Sequence, residues 1–193
     1  MKKYELTDET IDVSGTTLHR IKALKDFGNV KKGELGGYVE SERNLSQEGN
    51  CWVCGNAKVC GDAEVCGNAK VCGNAKVCGD AKVCGNAWVF GNAEVCGNAK
   101  VYGNAWVYGN AEVCGNARVY GDADYITIKG LGSKYRNTTI FRTKENIAVK
   151  CGCFYGTLAE FVDKVKETHG NSKFTKEYLA LIDLVKIHFE LEE

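Results

Sequence analysis

This chain of 193 residues has no proline, three histidines and a formal net charge of zero. Without proline, and without glycine at every third position, a collagen triple helix is excluded. Basic and acidic residues number 25 each, so the net charge does not indicate a polyanionic partner. No apolar run approaches the ~20 residues of a membrane span, and no membrane contact is expected. The opening MKKYELTDET lacks the apolar stretch of a signal peptide, which predicts a cytoplasmic protein.

The chain is dominated by one hexapeptide, V-[CYF]-G-[ND]-A-x, which is repeated twelve times without a gap from Val53 to Asp124. Valine, glycine and alanine occupy the first, third and fifth places in every unit. A globular enzyme core needs many different environments, whereas here a single environment is copied. Such repetition is typical of a solenoid, in which each unit packs only on its neighbours.

Each unit is interpreted as a short strand and a turn. In A-x-V, alanine and valine alternate with a variable residue, which predicts a strand with two inward side chains and one outward side chain. The following G-[ND] pair tolerates left-handed backbone angles and forms the corner. Strands this short pair only with the coil above or below, so the pattern predicts a parallel β-helix.

The repeat resembles the hexapeptide-repeat family of left-handed parallel β-helix proteins, whose motif is an aliphatic residue followed by a small residue four places later. Val53 with Ala57 and Val119 with Ala123 match this motif, as do all the units between them. The resemblance implies three hexapeptides per coil, so about eighteen residues per turn and about four coils. It also implies a trimer. The chain is further similar to uncharacterised phage and prophage proteins with GNA-V-G repeats, which would place it in the host cytoplasm.

The sequence predicts a mainly β protein with three segments. Residues 1–52 are predicted to form an N-terminal β cap and a first irregular coil, because Val39 and Leu45 are already spaced as in the repeat. Residues 53–124 form the β-helix. Residues 125–193 form a C-terminal ββαα module, in which a β-hairpin precedes two amphipathic helices. Thr157 and Glu160 predict a capping box at the first helix.

Eight of the eleven cysteines occupy the second place of the repeat, where phenylalanine or tyrosine stands in the other units. This interchange indicates that the place selects apolar bulk, and it predicts free thiols. Spacing of eighteen residues stacks Cys60, Cys78, Cys96 and Cys114 in one column. A linear stack does not converge on a tetrahedral ion, so no metal site is predicted.

Two other clusters are candidates for binding. The same spacing places Trp88, Phe90, Trp106 and Tyr108 in an aromatic patch, which predicts contact with a protein, self-association included, or stacking on a planar ligand. The segment 125–150 carries six basic residues and one acid. It predicts an anionic ligand, at a set of five basic and hydroxyl residues: Lys134, Arg136, Thr138, Thr139 and Arg142.

The function indicated is a non-catalytic scaffold or binding protein that self-associates, with no cofactor and no catalytic residue. One alternative is a phage effector that captures a host protein or a nucleotide; nucleic acid itself is not expected. The other is a degenerate hexapeptide-type acyltransferase. Such enzymes use a coil histidine as general base, whereas His19, His169 and His188 all lie outside the repeats.

Overall fold

The computed structural model describes residues 2–191 and is mainly β. A parallel β-solenoid of about five turns is followed by an antiparallel sheet and two helices, which confirms the predicted fold class. Within the described residues, no helix is both long and apolar enough to cross a membrane.

Three strands precede the repeats: β1 (Tyr4–Val13), β2 (Thr16–Ala23) and β3 (Leu35–Val39). The first two form a hairpin, whose turn at Ser14 and Gly15 has two positive φ angles of 55° and 83°. β3 pairs antiparallel with β2, and on its other edge it runs parallel to the first repeat strands. β3 therefore joins the N-terminal hairpin to the first end of the solenoid.

Each hexapeptide contributes a strand of two residues, the variable residue and the valine after it. These strands and the preceding Trp52–Val53 are β4 (Trp52–Val53), β5 (Lys58–Val59), β6 (Glu64–Val65), β7 (Lys70–Val71), β8 (Lys76–Val77), β9 (Lys82–Val83), β10 (Trp88–Val89), β11 (Glu94–Val95), β12 (Lys100–Val101), β13 (Trp106–Val107), β14 (Glu112–Val113) and β15 (Arg118–Val119).

The repeat strands form three parallel sheets around one core, in the orders β3-β5-β8-β11-β14, β4-β7-β10-β13 and β6-β9-β12-β15. Every strand pairs with the strand eighteen residues away, so valine lies on valine. The repeated valines, and the repeated alanines from Ala57 to Ala117, are buried with at most 1% of their surface exposed, whereas Ala123 in the last unit is exposed. Before the repeats, Val39 already pairs with Val59, and Leu45 bridges to Val65.

The repeat glycines from Gly55 to Gly115 have positive φ angles and form the corners of the coils. Gly79 has a φ of 71°, and a Cβ built on it would lie 3.0 Å from the backbone nitrogen of Gly97 in the next coil. Only glycine satisfies both conditions without strain. Beside the glycines the asparagine side chains bond from coil to coil, as in Asn68 to Asn86, where amide donates to amide oxygen over 3.0 Å.

The C-terminal module has four antiparallel strands, two more than the predicted hairpin: β16 (Tyr125–Leu131), β17 (Arg136–Arg142), β18 (Ile147–Cys151) and β19 (Phe154–Thr157). The last strand turns back on β18 through Gly152, whose φ is 58°. The helices are α1 (Leu158–His169) and α2 (Lys173–His188), and Thr157 and Glu160 form the predicted capping box.

This sheet separates two cores. Phe141 and Ala148 on one face belong to the solenoid core, whereas Ile140 and Val149 on the other face pack beneath the two helices. The sheet also bonds to the last coil, since the hydroxyl of Thr139 accepts the backbone N–H of Glu112 over 3.0 Å. The open end of the solenoid is thereby covered, as a solenoid terminus requires.

Candidate functional site

The structure does not bring the five predicted anion-binding residues into one site. Thr138 and Thr139 are buried, and their hydroxyls are bonded within the protein, Thr138 to the sulfur of Cys151. Arg142 lies at the other end of β17, where its guanidinium pairs with Asp124 at 3.3 Å and packs over the ring of Phe189. Only Lys134 and Arg136 line a common cavity.

That cavity, called the cationic pocket, has a volume of about 540 Å³ and lies where the C-terminal sheet meets α1 and α2. Its basic side chains are Lys134 from the turn before β17, Arg136 from β17, and Lys164 and His169 from α1. Its wall is formed by aromatic and small residues: Phe154, Tyr155, Phe161, Tyr178, Cys151, Cys153, Ser133, Val165 and Thr168. Among the described residues, no acidic side chain lines it. The volume is within the usual range for small-molecule sites.

Local structure places the basic groups of the cationic pocket. The side chain of Arg136 lies over Gly152, where a Cβ would come within 2.8 Å of the arginine Cδ. Within residues 2–191 neither Lys134 nor Arg136 forms an ion pair, whereas Lys164 pairs with Glu167 at 2.8 Å. Two exposed cations without acidic partners therefore remain available for an anion.

The aromatic wall is built by packing between the helices and the sheet. The rings of Phe161 and Tyr178 meet edge to face at 5.3 Å, and His169 stacks on Tyr178 at 5.9 Å. Burial raises the pKa of Tyr178 to about 12, so its phenol stays protonated at neutral pH. A site with cations at the rim and aromatic rings in the wall suits an anion that carries a planar group.

Sequence reasoning missed the residues that α1 contributes. Lys164 and His169 both line the cationic pocket from α1, a helix that the sequence predicted. Nothing in the helical pattern states which strand the helix packs against. The one available sign was the presence of two basic side chains, Lys164 and His169, in the last half of that helix.

The structure does bring the aromatic patch together. Trp88 and Trp106 stack at 5.5 Å, and Phe90 and Tyr108 also stack at 5.5 Å. We call these four residues the aromatic face. Both tryptophans and Tyr108 are exposed, by 37% to 50%. Lys70, in the coil before, places its ammonium 5.0 Å from the ring centre of Trp88.

The cysteines correct the prediction of free thiols. Cys54 is joined to Cys72, and Cys66 to Cys84, in disulfides between neighbouring coils. In both pairs the Cα atoms are 4.7 Å apart, a distance that coil stacking supplies and that a disulfide accepts. The interchange with phenylalanine and tyrosine concealed this pairing, since the aromatic residues occupy the later coils of the same two columns.

The third column keeps its thiols. Cys60, Cys78, Cys96 and Cys114 are free, and we call them the sulfur column. Hydrogen bonds from Cys60 and Cys96, together with the nearby Lys76 ammonium, lower the pKa of the Cys78 thiol. The bond to Cys78, and then burial, raise the pKa of Cys60. Of these two neighbours, negative charge is thus favoured on Cys78 over Cys60.

None of the three histidines lies in a coil. The ring of His19 contacts the carbonyl of Thr7 in the N-terminal hairpin, and His188 contacts the carbonyl of Ala123 at the end of α2. His169 lines the cationic pocket. The general base expected of a hexapeptide-type acyltransferase is therefore not placed on the solenoid. Among the described residues, no three histidine, cysteine or acidic side chains converge as metal ligands.

Comparison with known proteins gives one short similarity. A stretch of 61 residues is 39% identical to the uncharacterized acetyltransferase YdcK of Escherichia coli strain K12. The match covers 28% of this chain and 19% of the E. coli protein, so the chain spans less than a fifth of that relative. No protein-family profile matches the chain. The similarity is consistent with a hexapeptide-type solenoid.

Proposed function

We propose that this protein is a non-catalytic binding protein, in which the solenoid is a rigid scaffold and the cationic pocket holds an anionic ligand with a planar group. The observation that carries the proposal is that, within residues 2–191, Lys134 and Arg136 have no ion-pair partner and line a cavity without an acidic side chain. Both side chains are exposed, so they are free to form charge-assisted hydrogen bonds with a phosphate or a carboxylate. A nucleotide has the required chemistry, with phosphate for the cations and a base for the aromatic wall.

Self-association is part of the same proposal. Three of the four residues of the aromatic face are exposed, and none of the four lines the cationic pocket. Exposed aromatic clusters are the usual anchors of protein interfaces. A second copy of the chain offers the same face, and the resemblance to hexapeptide proteins favours a trimer over other closed assemblies.

The pocket is tested by titrating the protein with ATP and, separately, with inorganic phosphate, using calorimetry. Replacing Lys134 and Arg136 together by glutamine removes two charge-assisted contacts, each about 1.5–3 kcal/mol. We expect ATP affinity to fall more than tenfold. The control is the matched double variant Lys129→Gln and Lys166→Gln, which removes two charges outside the pocket lining. It should change affinity less than twofold. Equal losses in both variants, or none in the first, contradict the proposal.

Acetyl transfer is the second candidate, and the similarity to the E. coli protein favours it. Acetyl-coenzyme A also carries phosphates and an adenine ring, so it belongs in the same titration. Transfer would need a general base beside the bound thioester, and His169 is the one histidine that lines the cationic pocket. Release of free coenzyme A that is lost in His169→Gln would favour the enzyme; binding without release favours the binding protein.

A further inference from the structure

The sulfur column is a group of four nucleophilic side chains that the proposed function does not use. Its members follow β5, β8, β11 and β14, and consecutive members are one coil apart. Cys60, Cys78 and Cys96 are half-buried and so partly exposed to solvent, whereas Cys114 at the last coil is 8% exposed.

The backbone beneath this column matches that beneath the two disulfides. The N–H of Cys66 donates to the carbonyl of Val83 in the next coil over 3.0 Å, and Cys66 forms a disulfide with Cys84. The N–H of Cys60 donates to Val77 over the same 3.0 Å, and Cys96 donates to Val113 likewise. Two of the three columns have this corner geometry and form a disulfide. The third column, the sulfur column, has the same corner geometry and has cysteines on neighbouring coils.

We propose that the sulfur column is a site of reversible thiol–disulfide exchange with low-molecular-weight disulfides, in which Cys60 pairs with Cys78 and Cys96 pairs with Cys114. The ligand class is a small disulfide such as oxidised glutathione. The proposal concerns a surface separate from the cationic pocket and does not depend on it.

The proposed oxidation of Cys60 and Cys78 takes place in two thiol–disulfide exchange steps. The Cys78 thiolate attacks one sulfur of the small disulfide, a mixed disulfide forms, and one thiolate leaves. The deprotonated sulfur of Cys60 then attacks Sγ of Cys78, so that the protein disulfide forms and the second small thiolate leaves. Two protein thiols are oxidised, one small disulfide is reduced to two thiols, and the two protons pass to the departing thiolates.

The environment of Cys78 suits the first step. The hydrogen bonds from both neighbouring thiols and the Lys76 ammonium favour its thiolate, which is the attacking species. Lys76 is held beside it by an ion pair with Glu94 at 3.5 Å. At the far end of the column Lys150 lies near Cys114, whose pKa is lowered first by the hydrogen bond from Cys96.

The column differs from an isolated pair because Cys78 and Cys96 each have two sulfur neighbours. Because the four cysteines follow consecutive strands of one sheet, any disulfide between two neighbours has a further column cysteine one coil away. A disulfide between Cys78 and Cys96 can therefore be displaced by the thiolate of Cys114, which frees Cys78. Oxidation is expected to move along the axis by exchange between coils.

The test uses the full chain with Cys153→Ser, since Cys153 is exposed and would react by itself. The protein is equilibrated with glutathione at graded ratios of oxidised to reduced form, its free thiols are alkylated, and each cysteine is assigned by mass spectrometry. We expect the free thiols to fall from six to two, leaving Cys51 and Cys151, which are buried outside the column. The chain should stay monomeric in its covalent mass.

Two serine variants separate pairwise exchange from indiscriminate oxidation. In Cys78→Ser, Cys60 has no partner and should remain free or carry one glutathione, whereas Cys96 and Cys114 still pair. In Cys60→Ser, Cys78 should be found bonded to Cys96 in part of the molecules, with the bond from Cys96 to Cys114 in the rest. Column thiols that stay reactive under oxidised glutathione, or that form only mixed or intermolecular disulfides, overturn the proposal.

Discussion

At the scale of single residues, the join between solenoid and C-terminal sheet depends on polar groups buried at the end of the core. Tyr125 begins β16, is 7% exposed, and donates its hydroxyl to the carbonyl of Trp106 over 2.8 Å. Burial raises the pKa of Tyr125 to about 12. The phenol must therefore stay protonated in the folded protein, although an unfolded tyrosine ionises near pH ~10.

We expect Tyr125 to make the protein sensitive to alkali. A raised acid pKa contributes stability that is complete below about pH 10 and is lost as the pH rises towards about 12. Tyr125→Phe should cost about 1 kcal/mol at pH 8, through the lost hydrogen bond. That difference from the natural chain should shrink or reverse at pH 11. Denaturant unfolding at both pH values measures it, and a difference independent of pH would contradict the assignment.

Individual residues also show where sequence reasoning reached its limit. Periodicity predicted the burial of the repeat valines and of the alanines up to Ala117, because eighteen-residue stacking follows from the repeat itself. Ala123 is exposed, since it lies in a short turn after the last coil strand. The sequence predicted Lys134 and Arg136 as exposed basic groups but not the pocket around them, because that pocket exists only once α1 packs against β19. Thr138 looked like a ligand residue in the sequence, yet alternation along β17 turns it into the second core.

At the scale of the elements, the corner glycines set how closely coils approach. Gly79 and Gly109 have nearly the same φ, 71° and 70°, but a Cβ on Gly79 meets the next coil whereas a Cβ on Gly109 meets nothing within 4 Å. The two positions thus share the cost of a left-handed angle and differ in contact between coils.

We expect Gly79→Ala to destabilise the protein more than Gly109→Ala. The shared left-handed angle costs roughly 1–2 kcal/mol for a residue with a Cβ. At Gly79 the backbone nitrogen of Gly97, 3.0 Å from the added carbon, must also move. The thermal midpoints of the two variants give the comparison, with the natural chain as reference. Equal midpoints would mean that the coils separate without cost at this corner.

At the scale of the whole molecule, the elements divide into a regular body and an irregular end. The repeats determine the sheets almost completely, so the fold class followed from sequence alone. The two disulfides could not be predicted from the sequence, because their cysteines share a repeat position with phenylalanine and tyrosine, which cannot form a disulfide. The fourth strand of the C-terminal sheet is short and begins after a tight turn at Gly152, and its sequence lacks a clear alternating pattern.

We expect the protein to be a trimer held by the aromatic face. Light scattering at tens of micromolar should give about three times the mass of one chain, and Trp106→Ser with Tyr108→Ser should return it to one. Tyr102 and Tyr120 provide the control, since they also stack, at 5.9 Å, in a different column. Tyr102→Ser with Tyr120→Ser should leave the trimer intact. A monomeric natural chain would remove the proposal and leave the aromatic face for another partner.

The residue at the second place of each repeat affects which coils pair with one another during folding. If one coil were looped out during folding, valine would still meet valine and glycine would still meet glycine. The sulfur column would tolerate this misalignment, since Cys60 would meet Cys96. The other two corners would not tolerate it, because Cys54 would face Phe90 and Cys66 would face Tyr102, and neither pair can form a disulfide. The core residues are the same in every coil and do not distinguish one coil from another. The disulfides and the stacked rings at the corners differ between coils, and they favour the correct alignment.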